Sequence, residues 1–324
     1  MINFAVIGVG SFGKKRASAI QSTKSANLKA ICDIDIKKAA AVSKDLNVPN
    51  LKIEDILNDS SIDVVCICAP NKFHKDLIIK SLESEKNVFC EKPLARNLSE
   101  AKEILEASKK FNKKIQIGSN HRYFESVMFA KDLVNKGTIG KVLSFNGRIG
   151  HDGERIKDSW FWNKELSGGG TLLDNGCHLL DLSRYFVGQF SSGTGFTTNS
   201  YWKKDIAVED TASAIFKTDK NQTASIFCSW RLLSGYFFFE INGTDGYINV
   251  DGRFDTHGGD KIFWTNKEGK EIFNKDFSNI KPNSYAIEIE KFIERLENNQ
   301  ELSPSIEDGV EVMKMIDYVY SSNN

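Results

Sequence analysis

The sequence predicts an α/β protein: an amino-terminal Rossmann-type, doubly wound parallel sheet, then a carboxy-terminal α/β domain with a large, mostly antiparallel open sheet. Three observations point there. Up to about residue 120, short apolar runs alternate with helix-compatible stretches, as parallel strands require because their connections must cross over. The first apolar run leads straight into Gly8-Val-Gly10-Ser-Phe-Gly13. Over residues 139–150 and 190–277, β-rich runs follow one another with turn signals and little helix between them.

Asn3-Phe-Ala-Val-Ile7 is an apolar, β-leaning run, and the glycine turn follows it at once. A helix-compatible stretch runs from Lys14 to Ser22, and a second apolar run, Leu28-Lys-Ala-Ile-Cys32, ends at Asp33. Strand, glycine turn, helix, strand, acid is the order a dinucleotide site needs. Gly8 lets the chain turn sharply, Gly10 lets backbone approach a pyrophosphate, and Gly13 lets helix approach strand. Ser11 and Phe12 complete the turn. The helix amino terminus adds unpaired N–H groups and partial positive charge for the phosphates. Asp33 can accept hydrogen bonds from both adenosine-ribose hydroxyls and would repel a 2′-phosphate. Ile34 supplies no compensating cation, so the expected cofactor is NAD rather than NADP, with only Lys37 and Lys38 nearby to argue otherwise.

Asp63-Val-Val-Cys-Ile-Cys-Ala69 reads as a strand buried on both faces. Residues 77–85 read as helix, Asn87-Val-Phe-Cys90 as strand, 99–111 as helix and Lys114-Ile-Gln-Ile-Gly118 as strand. The boundary follows: residues 1–120 form the NAD-binding domain and 121–324 the substrate-binding and oligomerisation domain. In the second, strands are expected over 139–150, 208–218, 222–230, 236–242 and 247–250. Gly243-Thr-Asp-Gly246 is the expected hairpin connection. Helices are expected over 124–136, 171–186, 285–298 and 306–320. Phe237, Phe238 and Phe239 cannot all face inward on a strand. An apolar outer face predicts a homodimer or homotetramer through this sheet.

Composition excludes other classes. The chain has 324 residues, 43 basic against 43 acidic, 40% hydrophobic and 27% charged. With no block of like charge, neither nucleic acid nor an anionic membrane is an expected partner. No apolar run approaches a membrane span, and the opening residues lack the basic stretch of an export signal. The six cysteines form no CxxC pair, which argues against a zinc ribbon or redox dithiol. They read as small core residues of a cytoplasmic protein.

Three segments could carry chemistry. Ala69-Pro70-Asn71-Lys72-Phe73-His74 leaves the third strand where a nicotinamide ribose would lie, although an ordinary loop would read the same. Cys90-Glu91-Lys92-Pro93 leaves the fourth; its ammonium could stabilise the alkoxide that develops as hydride leaves carbon. Gly168-Gly-Gly-Thr-Leu-Leu-Asp174-Asn-Gly-Cys-His178 brings backbone close to something through three glycines. Its Asp174 and His178, four apart, should share one helical face. An imidazole can accept the proton an alcohol loses on becoming a ketone, with the carboxylate orienting it. No metal is expected, since a lone helix supplies too few ligands.

Together these motifs resemble the glucose–fructose oxidoreductase/inositol dehydrogenase/rhizopine catabolism (Gfo/Idh/MocA) family over essentially the whole chain. Val208-Glu-Asp-Thr211 and Asn242-Gly-Thr-Asp-Gly246 look like its later strands and turns. The resemblance implies Lys92, Asp174 and His178 as the catalytic set, with His178 as acid/base. It places Asn120 on the nicotinamide side and Arg122 and Tyr123 by the substrate. It also implies a sugar, cyclitol or nucleotide-sugar substrate. The stretch from His151 to Glu165 has no family pattern, so Arg155, Trp160 and Trp162 are expected to shape specificity. Two rivals remain: a glycosidase of the same family using transient oxidation, and a non-catalytic NAD/sugar-sensing regulator.

Overall fold

The computed structural model describes residues 1–202, 207–252, 260–268 and 272–322. They divide into two compact units, 1–120 with 285–310 and 121–284 with 311–324.

The first unit begins β1 (Ile2–Ile7), α1 (Ser11–Ser22), β2 (Ala26–Cys32), α2 (Ile36–Leu46) and α3 (Ile53–Asn58). It continues β3 (Val64–Ile67), α4 (His74–Glu83), β4 (Asn87–Glu91), α5 (Leu98–Ser108) and β5 (Ile115–Gly118). The strands pair in parallel in the order β2-β1-β3-β4-β5. Every residue of β3 is buried, which explains its unbroken apolar run. Sequence patterning did not announce α2 and α3. The first buries only Ala39 and Val42 and the second only Ile56, too narrow a stripe to show a period.

The second unit runs α6 (Glu125–Asn135), β6 (Val142–Asp152), α7 (Lys164–Ser167), a π-helical turn at Leu172–Gly176, and α8 (Cys177–Val187). Then come β7 (Ser192–Thr198), β8 (Thr211–Lys217), β9 (Thr223–Ser229) and β10 (Arg231–Gly243). The last strands are β11 (Tyr247–Gly252), β12 (Lys261–Trp264) and β13 (Phe273–Asp276); α9 (Ser284–Glu297), of the first unit, and α10 (Ile306–Ser321), divided between the two, come after them in the chain. Among the described residues these strands form one eight-stranded sheet, β13-β12-β11-β10-β6-β9-β8-β7. Its pairs are antiparallel except β6 with β9. The hairpin at 243–246 joins β10 to β11, with Gly243 N–H on the Gly246 carbonyl at 2.8 Å. Phe145, Phe237 and Phe239 bury themselves on one sheet face with Phe186 of α8. Each such burial contributes about 1.5–3 kcal/mol. Phe238 points the other way, half-buried, where Ile215 and Phe196 are 60% and 74% exposed.

One domain assignment changes. Residues 285–310, expected with the carboxy-terminal domain, pack into the first unit. Ile289, Phe292 and Ile293 form an i, i+3, i+4 stripe on α9 and share a core with Phe4, Val6 and Phe89. Phe292 meets the rings of Phe4 and Phe89 edge-on at 6.1 and 5.5 Å.

Candidate active site

All the cofactor residues expected in the first unit gather along the carboxyl edge of its parallel sheet. Gly8 follows β1, Asp33 follows β2, Ala69, Pro70 and Asn71 follow β3, Glu91 ends β4 with Lys92 next after it, and Asn120 follows β5. Such an edge is where doubly wound sheets bind ligands. Gly8 has φ +89°, and a Cβ there would lie 2.7 Å from the Ala69 nitrogen. A Cβ on Gly13 would stand 1.8 Å from the Gly8 carbonyl oxygen, so helix and strand meet only because both are glycines. At Gly10 a Cβ would find nothing within 4 Å. The amino terminus of α1 there has no side-chain cap, and its first turn holds no acid. Open space, uncapped N–H groups and no competing carboxylate suit a pyrophosphate.

Asp33 accepts the Val9 N–H at 2.7 Å and the Asp35 N–H at 2.9 Å, one on each oxygen. Each oxygen keeps a second acceptor site for a ribose hydroxyl. Ser11 and Phe12 are exposed in the first turn of α1, and the Lys92 ammonium lies 6.0 Å from the Phe12 ring centroid. Asn71 is buried at the start of a short 3-10 turn. His74, expected on the cofactor, instead has Nδ1 2.9 Å from the Pro93 carbonyl and Nε2 2.9 Å from that of Ala69. It therefore ties the Asn71 loop to the Lys92 loop. Burial pushes its pKa down, with the two carbonyls pulling the other way.

The second unit assembles its site from side chains. His178 is buried and stacks on His121 with ring centroids 3.7 Å apart and planes within 7°. At most one of those rings can carry charge without strong repulsion. Phe124 and Phe237 close round His121 at 4.5 and 5.1 Å. Asp174 Oδ2 accepts the Trp230 indole N–H at 3.2 Å and lies 3.9 Å from His151 Nε2. His151 Nδ1 rests 2.9 Å from the Asp152 carbonyl.

The expected stripe of α-helix from Asp174 to His178 is corrected: residues 172–176 wind as a π turn, and α8 starts only at Cys177. The cause is local. Half-buried Glu209 accepts the Gly170 and Leu172 N–H groups at 2.9 and 3.0 Å and the Tyr320 hydroxyl at 2.9 Å. Cβ atoms on Gly169 and Gly170 would strike Tyr320 Oη and the Glu209 carbonyl at 2.0 and 1.9 Å. The three-glycine run thus accommodates the chain's own Glu209 and Tyr320. Burial raises the Glu209 pKa despite those donors.

Arg122, expected beside substrate, grips Asp181 at 2.8 and 2.6 Å and lies 4.7 Å over the Tyr185 ring. Tyr123 is buried. Trp162 donates its indole N–H to the Ile156 carbonyl at 2.7 Å and packs edge-on against Trp230 at 4.5 Å, so it reaches Asp174 through a second tryptophan. Arg155 is exposed, and Trp160 stacks on Phe161 at 4.1 Å. Sequence reasoning gave no role to His121, His151, Trp230 or Asp181. One signal was available: the chain has five histidines, and three of them, at 121, 151 and 178, fall in this unit. His257 lies outside the described residues.

Burial holds the thiols of Cys32, Cys90 and Cys228 above their ordinary pKa, and for Cys68 the contact with the Cys66 thiol does so first and burial second, which suits core residues rather than nucleophiles. Among the described residues no helix is long and apolar enough to cross a membrane.

Known proteins place this architecture. Residues 2–119 match the oxidoreductase family with an NAD-binding Rossmann fold, and residues 127–249 match the GFO/IDH/MocA C-terminal domain. The 2,7-anhydro-N-acetylneuraminate hydratase of Escherichia coli is 32% identical over 256 residues, 78% of this chain and 68% of that protein. Inositol 2-dehydrogenase of Rhizobium meliloti is 26% identical over 328 residues, 98% of this chain and 95% of that one. In such alignments the share of the relative's own length runs from 51% to 95%. A levoglucosan dehydrogenase solved with NADH and levoglucosan has the same fold, with TM-score 0.90 and 24% identity over 99% of this chain and 96% of that one. With the glycine turn on an NAD-binding Rossmann unit and the second unit matching the family's own partner domain, the chain belongs to the Gfo/Idh/MocA family of NAD(P)-dependent oxidoreductases.

Proposed function

We propose that this protein is an NAD-dependent dehydrogenase or reductase acting on one secondary hydroxyl of a sugar, cyclitol or nucleotide sugar. What carries the reading is the turn in which Gly8 and Gly13 close on each other while Gly10 faces open space, with Asp33 at the next strand end. The inositol 2-dehydrogenase relative, aligned over nearly both chains, supports a polyhydroxylated ring as substrate.

Bound NAD would supply the hydride acceptor. Gly8, Gly10, Ser11, Phe12, Gly13 and Asp33 would hold its adenosine diphosphate end. Ala69, Pro70, Asn71, Glu91, Lys92 and Asn120 would serve the nicotinamide end. In oxidation His178 takes the hydroxyl proton, and Asp174 supplies the negative charge that favours the protonated ring. Lys92 holds the developing oxyanion, a fixed charge that needs no reorganisation when the barrier is crossed. Arg122, Tyr123 and Trp162 shape the substrate pocket, Arg122 by fixing α8 through Asp181.

The deciding assay follows reduced-nicotinamide absorbance across a panel of sugars, cyclitols and nucleotide sugars. NADH formed in proportion to substrate consumed is the expected result. Substrate converted with no net NADH would instead indicate transient redox. Saturable binding of panel members with no conversion would indicate a sensor.

Two further assignments belong to this proposal. The apolar outer face of the β7–β10 region, with Phe196, Ile215 and Phe238, mates with a second copy to give a dimer or tetramer. A monomer mass by light scattering at working concentration would refute that. The thiol-rich core suits the cytoplasm; fractionation of cells expressing the tagged protein tests it.

A further inference from the structure

The first unit buries an ionic cluster that the chemistry just described does not use. Arg16 sits on α1, three residues past Gly13, and is fully buried. Its Nε donates to Glu91 Oε1 at 2.9 Å and its Nη1 to Glu288 Oε2 at 2.8 Å. The Phe89 and Tyr285 rings lie 4.5 and 4.6 Å from the guanidinium carbon. Glu288, on α9 and likewise fully buried, accepts the backbone N–H of Ser119 on Oε1 at 2.6 Å. One cation therefore joins the helix of the glycine turn, the end of β4, the end of β5 and α9.

Such a cluster is costly. Two carboxylates on one guanidinium leave a net buried negative charge when both are ionised, and apolar residues of equal volume would commonly be as stable or more so. Its position suggests what it is for. Glu91 is followed by Lys92, and Ser119 by Asn120.

We propose that Arg16 and Glu288 are positioning residues that hold the Glu91-Lys92 and Ser119-Asn120 ends of β4 and β5 in place against the helix of the glycine turn. The proposal rests on Lys92 acting on the substrate oxygen and Asn120 on the nicotinamide side. The geometry needs Glu288 ionised, because each of its oxygens already receives a donor. Burial nonetheless raises its pKa to about 7, so a proton competes for it near neutrality. The charged and titratable groups that face it are Arg16, Glu91 and Tyr285.

Glu288→Gln tests this. It keeps the shape and an acceptor for Ser119 but sets an amide where Arg16 needs a carboxylate oxygen. At pH 8 the variant should fold normally and bind NADH within about twofold of the wild type, because the glycine turn and Asp33 are untouched. Its kcat should fall about tenfold, the scale of a small misplacement of a catalytic group. The fall in kcat between pH 8 and pH 6 should also be shallower than in the wild type, since Glu288 no longer takes up a proton. Turnover within twofold of the wild type throughout that range would overturn the proposal. So would an equal loss in NADH affinity and kcat, the mark of general loosening. Should the glutamine variant not fold, Glu288→Asp keeps the charge but draws it back by one methylene, and the same split is expected. A wild type that binds no NADH, or turns over nothing on the panel, would bring down the functional reading itself, which the variant comparison leaves distinct.

Discussion

The two units build their sites by opposite means. In the first, the fit for a nucleotide is made by backbone and by the absence of side chains. Gly13 touches Gly8 and Gly10 faces open space, all within six consecutive residues. In the second, side chains far apart in sequence hold one another: Trp230 on Asp174, Arg122 on Asp181, His121 on His178. A steric, contiguous device survives on its own residues. A device of paired side chains exists only once β6, β10 and α8 have packed, so its members cannot be recognised one at a time.

The largest expected effects come from the two groups proposed to act on the reacting hydroxyl. Lys92→Ala and His178→Ala should each lower kcat by about 10²- to 10⁴-fold while NADH still quenches protein fluorescence at near wild-type concentrations. Turnover near normal in either variant would remove that residue from the mechanism.

The glycine turn offers a sharper contrast. Gly13→Ala drives a methyl to 1.8 Å from the Gly8 carbonyl and should lower stability by about 1–3 kcal/mol or more and abolish NADH binding. Gly10→Ala, with nothing of the protein within 4 Å, should leave the melting temperature within about 2 °C. It should still weaken NADH about tenfold or more, because the methyl enters the space proposed for pyrophosphate. Unchanged NADH affinity in Gly10→Ala would break the claim that this space is the cofactor's.

The last expected effect concerns stability against pH. Glu288 has its pKa raised from 4.5 to about 7 in the folded state. The folded protein therefore holds a proton that the unfolded chain releases across that interval. The sign follows: this group favours folding below about pH 4.5 and loses that contribution as pH rises through 7, on the order of 3 kcal/mol in total. Asp260, raised from 3.8 to about 6 by burial although Ser126 donates to it, acts in the same direction. Urea unfolding at pH 5 and pH 8 should give a smaller difference for Glu288→Gln than for the wild type. The ionised carboxylate that best holds the β4 and β5 ends is thus the form that costs the fold most, a trade of stability against function.

The glycine turn and the parallel sheet were legible in the chain because each is a local pattern, and local motifs also named Lys92, Asp174 and His178 as candidates. A buried parallel strand must be apolar throughout, a tight turn needs glycine, and a motif keeps its spacing whatever surrounds it. Other features had no local mark. The π turn at Leu172–Gly176 is imposed by Glu209, thirty-seven residues on from Leu172. His74 reads as a ligand group until its two nitrogens are seen against the carbonyls of Ala69 and Pro93. Residues 285–310 follow the second unit's strands in the chain, yet Phe292 finds its apolar partners in Phe4 and Phe89. Neighbouring residues along the chain determine backbone shape and the chemistry on offer. Which carboxylate meets which cation, and which helix completes which core, is decided by long-range packing, because those free energies exist only between surfaces that folding brings together.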